Sequence, residues 1–569
     1  MTRRPPPAPV LALCCLFALA PACSVAVADD PVQCEADADC EGRGPDFAGT
    51  ACATAGPRKG FCVDQFPSDL GGECAANADC VDVTGPGSIC APADGTTRCE
   101  RLLTEQCPLY IGDPFIERTV IYGLLGDVLP QDPSYVRDAG LVAAAKLAVD
   151  EFQADAGVEL SGRRRVSFVV CSQATPRASA SHLLRLGAKA IVGPSEGDKL
   201  AAVAELTGPA GVPVFAGYLD ENTAAAVPEA SGLVFLSGAS RASAVAALSA
   251  FLGENAAALL APSGATHLRV MTVLGSETER YAAFLAERLT FNGKTAVQNQ
   301  NDPACGSCYL NADATGGPAA LAAAAAAFRP HVVVPLMNAS WGATFLPAVE
   351  AALGDLPGPV YLHPALREVD PGYIVLGRSA PDLADRVVGL WPARDEGVAS
   401  SFRDRYQDAT APSAGVPGPA PNVSATRVYE NTFLVLLASY AAALESPDGD
   451  FRGADLARAV AAVTSPGGTR AGAGPLDIAS AVQALNRRAL QGGGDPAATA
   501  VDLDGILSTF EFDPNQSSAS RWQLWCLDGA AGRYVGTPRV FDGASFQGGT
   551  PGLCPPAPGA PPPPSGSLR

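Results

Sequence analysis

From about Thr119 onward, short apolar runs alternate with longer stretches whose apolar residues recur at helical spacing. "TVIYGLLG" predicts a strand ending in a glycine turn, and "AGLVAAAKLAVDEFQA" predicts a helix. "RRVSFVVCSQA" predicts a strand, "ASASHLLRLG" a helix ending at Gly187, and "AKAIVGP" a strand. "GDKLAAVAELTGPAG" and "VPVFAG" repeat the alternation. "LRVMTVLG", "ERYAAFLAERLTFNG", "HVVVPLMN", "WGATFLPAVEAALGDL" and "PVYLHPA" continue it. Strands that are apolar almost throughout, with helices between them, imply parallel sheets covered on both faces. The region is about 420 residues long, more than one hydrophobic core normally serves. The expected architecture is α/β, with two doubly wound parallel-sheet lobes.

The stretch Ala190–Gly217, "AIVGPSEGDKLAAVAELTGPAGVPVFAG", is a strand, a polar turn, a helix and a second strand. Its corner carries no nucleophile–base pair and no metal-ligand cluster. Loops leaving the carboxyl ends of parallel strands line the ligand crevice of such sheets, and helix N-termini attract anionic groups. The corner is therefore placed to bind rather than to react.

Upstream the pattern differs. Residues 29–105 hold eight cysteines in two units offset by 40 residues. Cys34, Cys40, Cys52 and Cys62 are separated by five, eleven and nine residues, and Cys74, Cys80, Cys90 and Cys99 by five, nine and eight. Few large apolar residues lie between them, so disulfides must hold the region. Four cysteines per unit allow three connectivities, and the sequence does not choose among them. Zinc sites use close pairs such as C-x₂-C, which these units lack. The region serves as a stapled spacer or as a small protein-binding module. Of the others, Cys305 and Cys308 form "ACGSC" in a polar loop, which favours a structural short-loop disulfide over a redox pair. Cys526 is expected to pin the closing hairpin to the tail through Cys554. Cys107 and Cys171 are left and can pair with each other.

The N-terminus adds a location. Arg3 and Arg4 precede an apolar run from Val10 to Ala20, the length of a signal-peptide core and too short to span a bilayer. Residues 1–28 thus read as a signal peptide. Ala26-Val27-Ala28 suits cleavage after Ala28, while "LAPAC" suits lipidation at Cys23; both stay open. The 14 cysteines beyond Ala28 fit an oxidising compartment, so the expected place is the periplasm or cell envelope. The net charge of −20 argues against nucleic acid as a partner. Residues 546–569 are a Pro-rich tail.

The succession of elements over residues 106–545 resembles the type I periplasmic binding proteins, and within them the branched-chain amino-acid (Leu/Ile/Val) binding family of ABC transporter substrate-binding proteins. The stretches carrying the resemblance are "GLVAAAKLAVDEFQADAGVELSGRRRVSFVVCSQA", the Ala190–Gly217 unit, "VFLSGASRASAVAALSAFL", "VYENTFLVLLASYAAAL" (with Glu430 where the family has Asp) and "TFEFDPNQSSASRWQLWCLDGAAGRYV". The resemblance implies a hinge between the lobes and a ligand trapped between them. It places ligand contacts at Ser195, Glu196, Gly197, Tyr218 and Asp220 in the first lobe, and at Ser276, Asn338, Ser340 and His363 in the second. Each has a plainer reading. Ser195 can cap the helix beginning near Gly197, and Glu196 can complement its dipole. Tyr218 can be a rim residue and His363 a packed bystander. Asn338 and Asn422 also match N-x-S by chance. Gly275-Ser276-Glu277 stands where the family has Asp-Tyr-Gly, so an aromatic wall is missing, and Glu196 and Asp220 add negative charge. A cationic or polyhydroxylated solute suits such a rim.

The leading expectation is an exported solute-binding protein without enzymatic activity. It would capture a small polar solute, such as an amino acid or a derivative, for an ABC permease or a sensor. No cofactor or metal is expected, and the only membrane contact would be an N-terminal lipid anchor. The alternative is an envelope interaction or adhesion protein with an inert cleft. Four histidines, and no H-E-x-x-H or P-loop, speak against catalysis.

Overall fold

The structure is a computed structural model. It describes residues 73–549, apart from 85–86, 94–95, 133–139, 156–164, 195–196, 218–231, 239–240, 276–278, 337–343, 355, 364–380, 394–395, 413–417, 420, 447–448, 492–498, 508, 513–515, 517, 519–520 and 529–532. Asp39, Thr50–Cys52 and Cys62–Asp64 are also described. The chain divides into two compact units, Met1–Gly71 and Gly72–Arg569. The second Cys-rich repeat thus belongs to the unit that carries the α/β lobes.

In the first unit, β1 (Thr50–Cys52) pairs antiparallel with β2 (Cys62–Asp64), placing Cys52 opposite Cys62. The second unit opens with the same motif. Helix α1 (Asn77–Thr84) precedes a hairpin of β3 (Ser88–Ala93) and β4 (Thr96–Arg101), with Cys90 opposite Cys99. The cross-strand cysteines do not bond to each other. Cys90 bonds to Cys74, and Cys99 to Cys80, which lies in α1. This first-to-third, second-to-fourth pattern staples the helix onto the hairpin. The Asp79 carboxylate accepts the Ala75 and Ala76 N–H groups at 2.8 and 3.0 Å, and these bonds hold it below the usual carboxylate range. Asp39, forty residues earlier, is also helical. Because both the register and the helical Asp repeat, non-reducing peptide mapping is expected to find Cys34–Cys52 and Cys40–Cys62. Cys34 and Cys40 lie outside the described residues, and recovery of a Cys52–Cys62 peptide would refute the shared connectivity.

The first lobe contains a six-stranded sheet in the order β10 (Val234–Leu236), β9 (Val214–Ala216), β8 (Ile191–Val192), β6 (Val120–Gly126), β7 (Val166–Ser172) and β5 (Leu109–Gly112). β6 to β10 run parallel, and β5 is an antiparallel edge. One face packs on α3 (Pro176–Arg185) and α4 (Gly197–Thr207), together with Ile89 and Leu102 of the stapled module. The buried Cys107–Cys171 disulfide lies in that layer. His182 of α3 meets the Leu102 carbonyl at 3.0 Å, and burial pushes its pKa below the ordinary histidine value.

The other face is covered by α2 (Leu141–Asp150), which continues as a π turn, Glu151–Asp155, and by four helices that return from later in the chain.

The second lobe carries an eight-stranded sheet between two helical layers. Its first layer includes α5 (Arg241–Glu254) and α6 (Glu279–Arg288). A small hairpin, β12 (Thr290–Phe291) and β13 (Lys294–Thr295), turns at Asn292-Gly293, where both φ angles are positive. The other layer includes α7 (Gly317–Phe328) and α8 (Leu346–Leu353). The sheet order is β14 (Tyr309–Asp313), β11 (Val270–Leu274), β15 (Val332–Leu336), β16 (Val360–His363), β17 (Val387–Pro392), β20 (Trp522–Asp528), β21 (Arg533–Phe541) and β22 (Phe546–Gln547). The first five are parallel and the last three antiparallel. Cys305 and Cys308 form a disulfide. Cys526 is disulfide-bonded as well, while Cys554 lies outside the described residues.

The returning helices are α9 (Glu396–Ala409), α10 (Val423–Glu445), α11 (Gly453–Val463) and α12 (Pro475–Gln491), with β18 (Thr469–Gly472) parallel to β19 (Val501–Asp504). Buried Glu151 anchors them. Its carboxylate accepts Arg405 Nε–H at 2.7 Å and Tyr429 O–H at 2.5 Å, tying α9 and α10 to the end of α2. Burial, with the Glu151 charge beside it, raises the Tyr429 pKa well above the ordinary tyrosine value.

The chain therefore passes between the lobes three times: after β10, after β17 and before β20. The passages lie side by side. Leu236 N–H donates to the Gln516 carbonyl at 2.9 Å, and Ser518 N–H donates to the Leu236 carbonyl at 2.8 Å. Ala393 N–H donates to the Arg521 carbonyl at 2.8 Å. The architecture is α/β, with two doubly wound parallel-sheet lobes joined by a hinge of three adjacent segments.

Candidate functional site at the facing strand ends

The positions of the passages determine which edges face each other. The first leaves the carboxyl end of β10, and the second leaves the carboxyl end of β17. The third enters β20 at Trp522, which pairs with Pro392 at that same end of β17. Every passage thus lies at the carboxyl edges of the parallel strands, which brings the two edges together across the hinge. This is where open α/β sheets place their ligands, because the loops and helix N-termini at that edge are free of ladder bonding.

The first lobe's edge is lined by polar groups that the strands force inward. Asp127 follows β6 directly and is buried. Lys199, in the first turn of α4, reaches it at 3.8 Å (14% and 0% side-chain exposure). Asp132 accepts the Leu129 N–H at 2.8 Å and the Ser172 hydroxyl at 2.9 Å. The buried Gln173, next after Ser172, donates its N–H to the Gly126 carbonyl at 2.9 Å, closing the ends of β6 and β7 together. Beside the hinge, Arg427 and Glu430 form a buried pair at 2.7 Å on the first turns of α10.

The second lobe offers rings. His363 ends β16, is buried, and lies 6.1 Å from the Trp525 ring centre. Trp391, half-buried near the end of β17, donates its indole N–H to Gln523 Oε1 at 2.7 Å. Asp313 closes β14 and accepts the Thr315 hydroxyl at 2.6 Å and N–H at 2.8 Å; these bonds hold its carboxyl below the usual range.

Of the residues expected from sequence, Gly197 opens α4 at the first lobe's edge and His363 closes β16 at the second's. Ser195, Glu196, Tyr218, Asp220, Ser276, Asn338 and Ser340 lie outside the described residues. Sequence reasoning missed Asp127, Asp132, Ser172, Gln173, Lys199 and Trp391. The available signal was a polar residue directly after an apolar strand run, as in "LLGD" and "VVCSQ". Lys199 has no such signal, because contact with Asp127 comes only when the start of α4 meets the end of β6.

A Ser–His contact occurs elsewhere, between Ser263 and His331 at 2.9 Å. The Arg269 backbone N–H donates to His331 Nδ1 at 2.9 Å, so Nε2 carries the proton and Ser263 Oγ accepts it. Burial pushes the His331 pKa down, which keeps the ring neutral. With its Nε2–H facing Ser263, the ring has no free lone pair toward that hydroxyl and does not act on it as a base.

No protein-family model and no curated protein matches the chain. Solved structures of similar shape include a putative branched-chain amino acid ABC transporter from Rhodospirillum rubrum, 15% identical with a TM-score of 0.46, covering 74% of this chain and 100% of that one. A branched-chain amino acid ABC transporter periplasmic ligand-binding protein from Burkholderia xenovorans is 13% identical with a TM-score of 0.47, covering 74% and 94%. A solute binding protein of an ABC transporter from Rhodopseudomonas palustris, in complex with 3,4-dihydroxybenzoic acid, is 15% identical with a TM-score of 0.46, covering 73% and 95%.

Proposed function

We propose that this chain is an exported solute-binding protein that captures a small polar solute, such as an amino acid or a derivative, between its lobes and presents it to an ABC permease or a sensor. The observation that carries this reading is the convergence of all three passages on the carboxyl edges of both sheets. A hinge there lets two ligand-binding edges close on one guest. In this reading Ser195, Glu196, Gly197, Tyr218 and Asp220 contact the solute from the first lobe, and Ser276, Asn338, Ser340 and His363 contact it from the second. An N-terminal signal peptide directs export and ends either after Ala28 or before Cys23, where a lipid anchor would then attach.

Thermal-shift screening of amino acids, polyamines and sugars, followed by native mass spectrometry, tests the reading. A solute at a hundred times its Kd stabilises the folded state by about 2.7 kcal/mol, which raises the midpoint measurably. One class of solute is expected to raise it and to appear as a 1:1 adduct. If no class does, and protein purified from its own envelope carries no small molecule, the capture reading falls.

The alternative, an envelope interaction protein with an inert cleft, draws support from one surface feature. Leu103, Leu109, Tyr110, Phe115 and Ile116 are exposed beside the stapled module.

A further inference from the structure

The three passages are not anchored equally. Two of them are tied to one short piece of α10. Arg427 Nη1 donates to the Ser237 carbonyl at 2.9 Å, immediately after β10, where the first passage begins. The same guanidinium pairs with Glu430 Oε1 at 2.7 Å. The other carboxylate oxygen of Glu430 accepts the Leu507 N–H at 2.8 Å, on the segment leading into the third passage. Side-chain exposure is 6% for Arg427 and 0% for Glu430, so both charges sit in a low-dielectric setting where each contact is strong.

The surroundings are built to fit. Gly217, at the end of β9, has no side chain, and a Cβ there would stand 3.0 Å from Arg427 Cβ. Phe512 packs edge-on against Phe235 at 5.4 Å, and Phe235 stacks on Phe215 at 4.9 Å. The first and third passages then pair with each other through Leu236 and residues 516 and 518. α10 is the longest helix described and is buried along most of its length, so it makes a rigid mount.

We propose that the Arg427–Glu430 pair is a hinge clamp, a pair of positioning residues that sets the angle between the lobes by holding the first and third passages to α10. A buried ion pair is weak grounds for stability, because desolvation of both charges offsets their attraction. Here each member also holds a backbone group of a different passage. Movement of one passage relative to the other must therefore break a charged hydrogen bond, and the second passage, through Ala393 and Arg521, follows the third. The clamp rests on the capture reading only for its use; the geometry it controls exists without any solute.

The test uses the full chain, free of solute. Azide-bearing residues at Lys146 of α2 and Glu287 of α6, both exposed, take a donor and an acceptor dye without disturbing the disulfides. Single-molecule energy transfer then reads the interlobe distance distribution. In the double variant Arg427→Met with Glu430→Met, apolar side chains of similar volume fill the site and circular dichroism confirms the fold. The expected result is loss of the single narrow peak, replaced by a broader distribution shifted toward longer distances. A distribution identical to that of the parent overturns the clamp, even if the melting temperature falls. Glu430→Gln, which keeps the shape but removes the charge, decides the question in the same way if the double variant does not fold. A failed solute screen with a broadened distribution would sink the capture reading and leave the clamp standing.

Discussion

Replacing Cys107 and Cys171 with alanine together is expected to destabilise the first lobe while leaving the second nearly unchanged. The bridge spans 64 residues of sequence and joins the segment before β5 to the end of β7. Without it, the unfolded chain regains the freedom of a long loop, a change of roughly 4 kcal/mol in the chain-entropy account. Both cysteines are fully buried, so their removal also opens the layer that seats Leu102 and α3. Each lobe has its own pair of hydrophobic layers, and among the described residues no cluster spans both. The loss should therefore be local. Hydrogen exchange in urea should show amides of β6 and β7 opening earlier, with those of β11 and β15 unmoved. Equal loss in both lobes would mean that they unfold as one unit.

The matching perturbation in the second lobe is Trp525→Ala. Trp525 is fully buried and contacts Tyr534 edge-on at 4.8 Å, with His363 and Trp391 at 6.1 and 6.2 Å. Its indole lies across β17 at Gly389, where a Cβ would come within 2.4 Å of the ring. Removing so large a side chain costs about 3–5 kcal/mol, through lost burial and the cavity that remains. Urea denaturation followed by exchange in β16 and β17 measures it. His363 and Trp391 pack on the same ring, so their order at the strand edge should fall with it. An unchanged midpoint would show that the site collapses around the gap.

The prediction of alternating strands and helices rested on long apolar runs, and it placed β6, β7, β11 and β15 within a residue or two. That worked because a strand buried on both faces must be apolar along its whole length. The edge of the site was far less visible. Asp127 and Gln173 are single polar residues after a strand, a pattern that any surface loop shows too. Their burial follows from the ends of β6 and β7 meeting under α4, a contact between segments distant in sequence. The cysteine repeat was visible as spacing, yet its connectivity was not. Cys90 and Cys99 face each other across the hairpin and still bond elsewhere, because α1 lies over them and brings Cys74 and Cys80 within reach.

What the sequence alone settled is therefore what local patterning controls: the α/β class, the repeated cysteine spacing upstream, and lobes too large for one core. Periodicity of side chains along one segment suffices for each. Which edge meets which, which cysteine takes which partner, and which charge clasps which passage were decided only by the tertiary structure. Those relations join residues up to hundreds of positions apart, as Arg427 meets Ser237, and no pattern within a single segment encodes a contact whose other half lies in another.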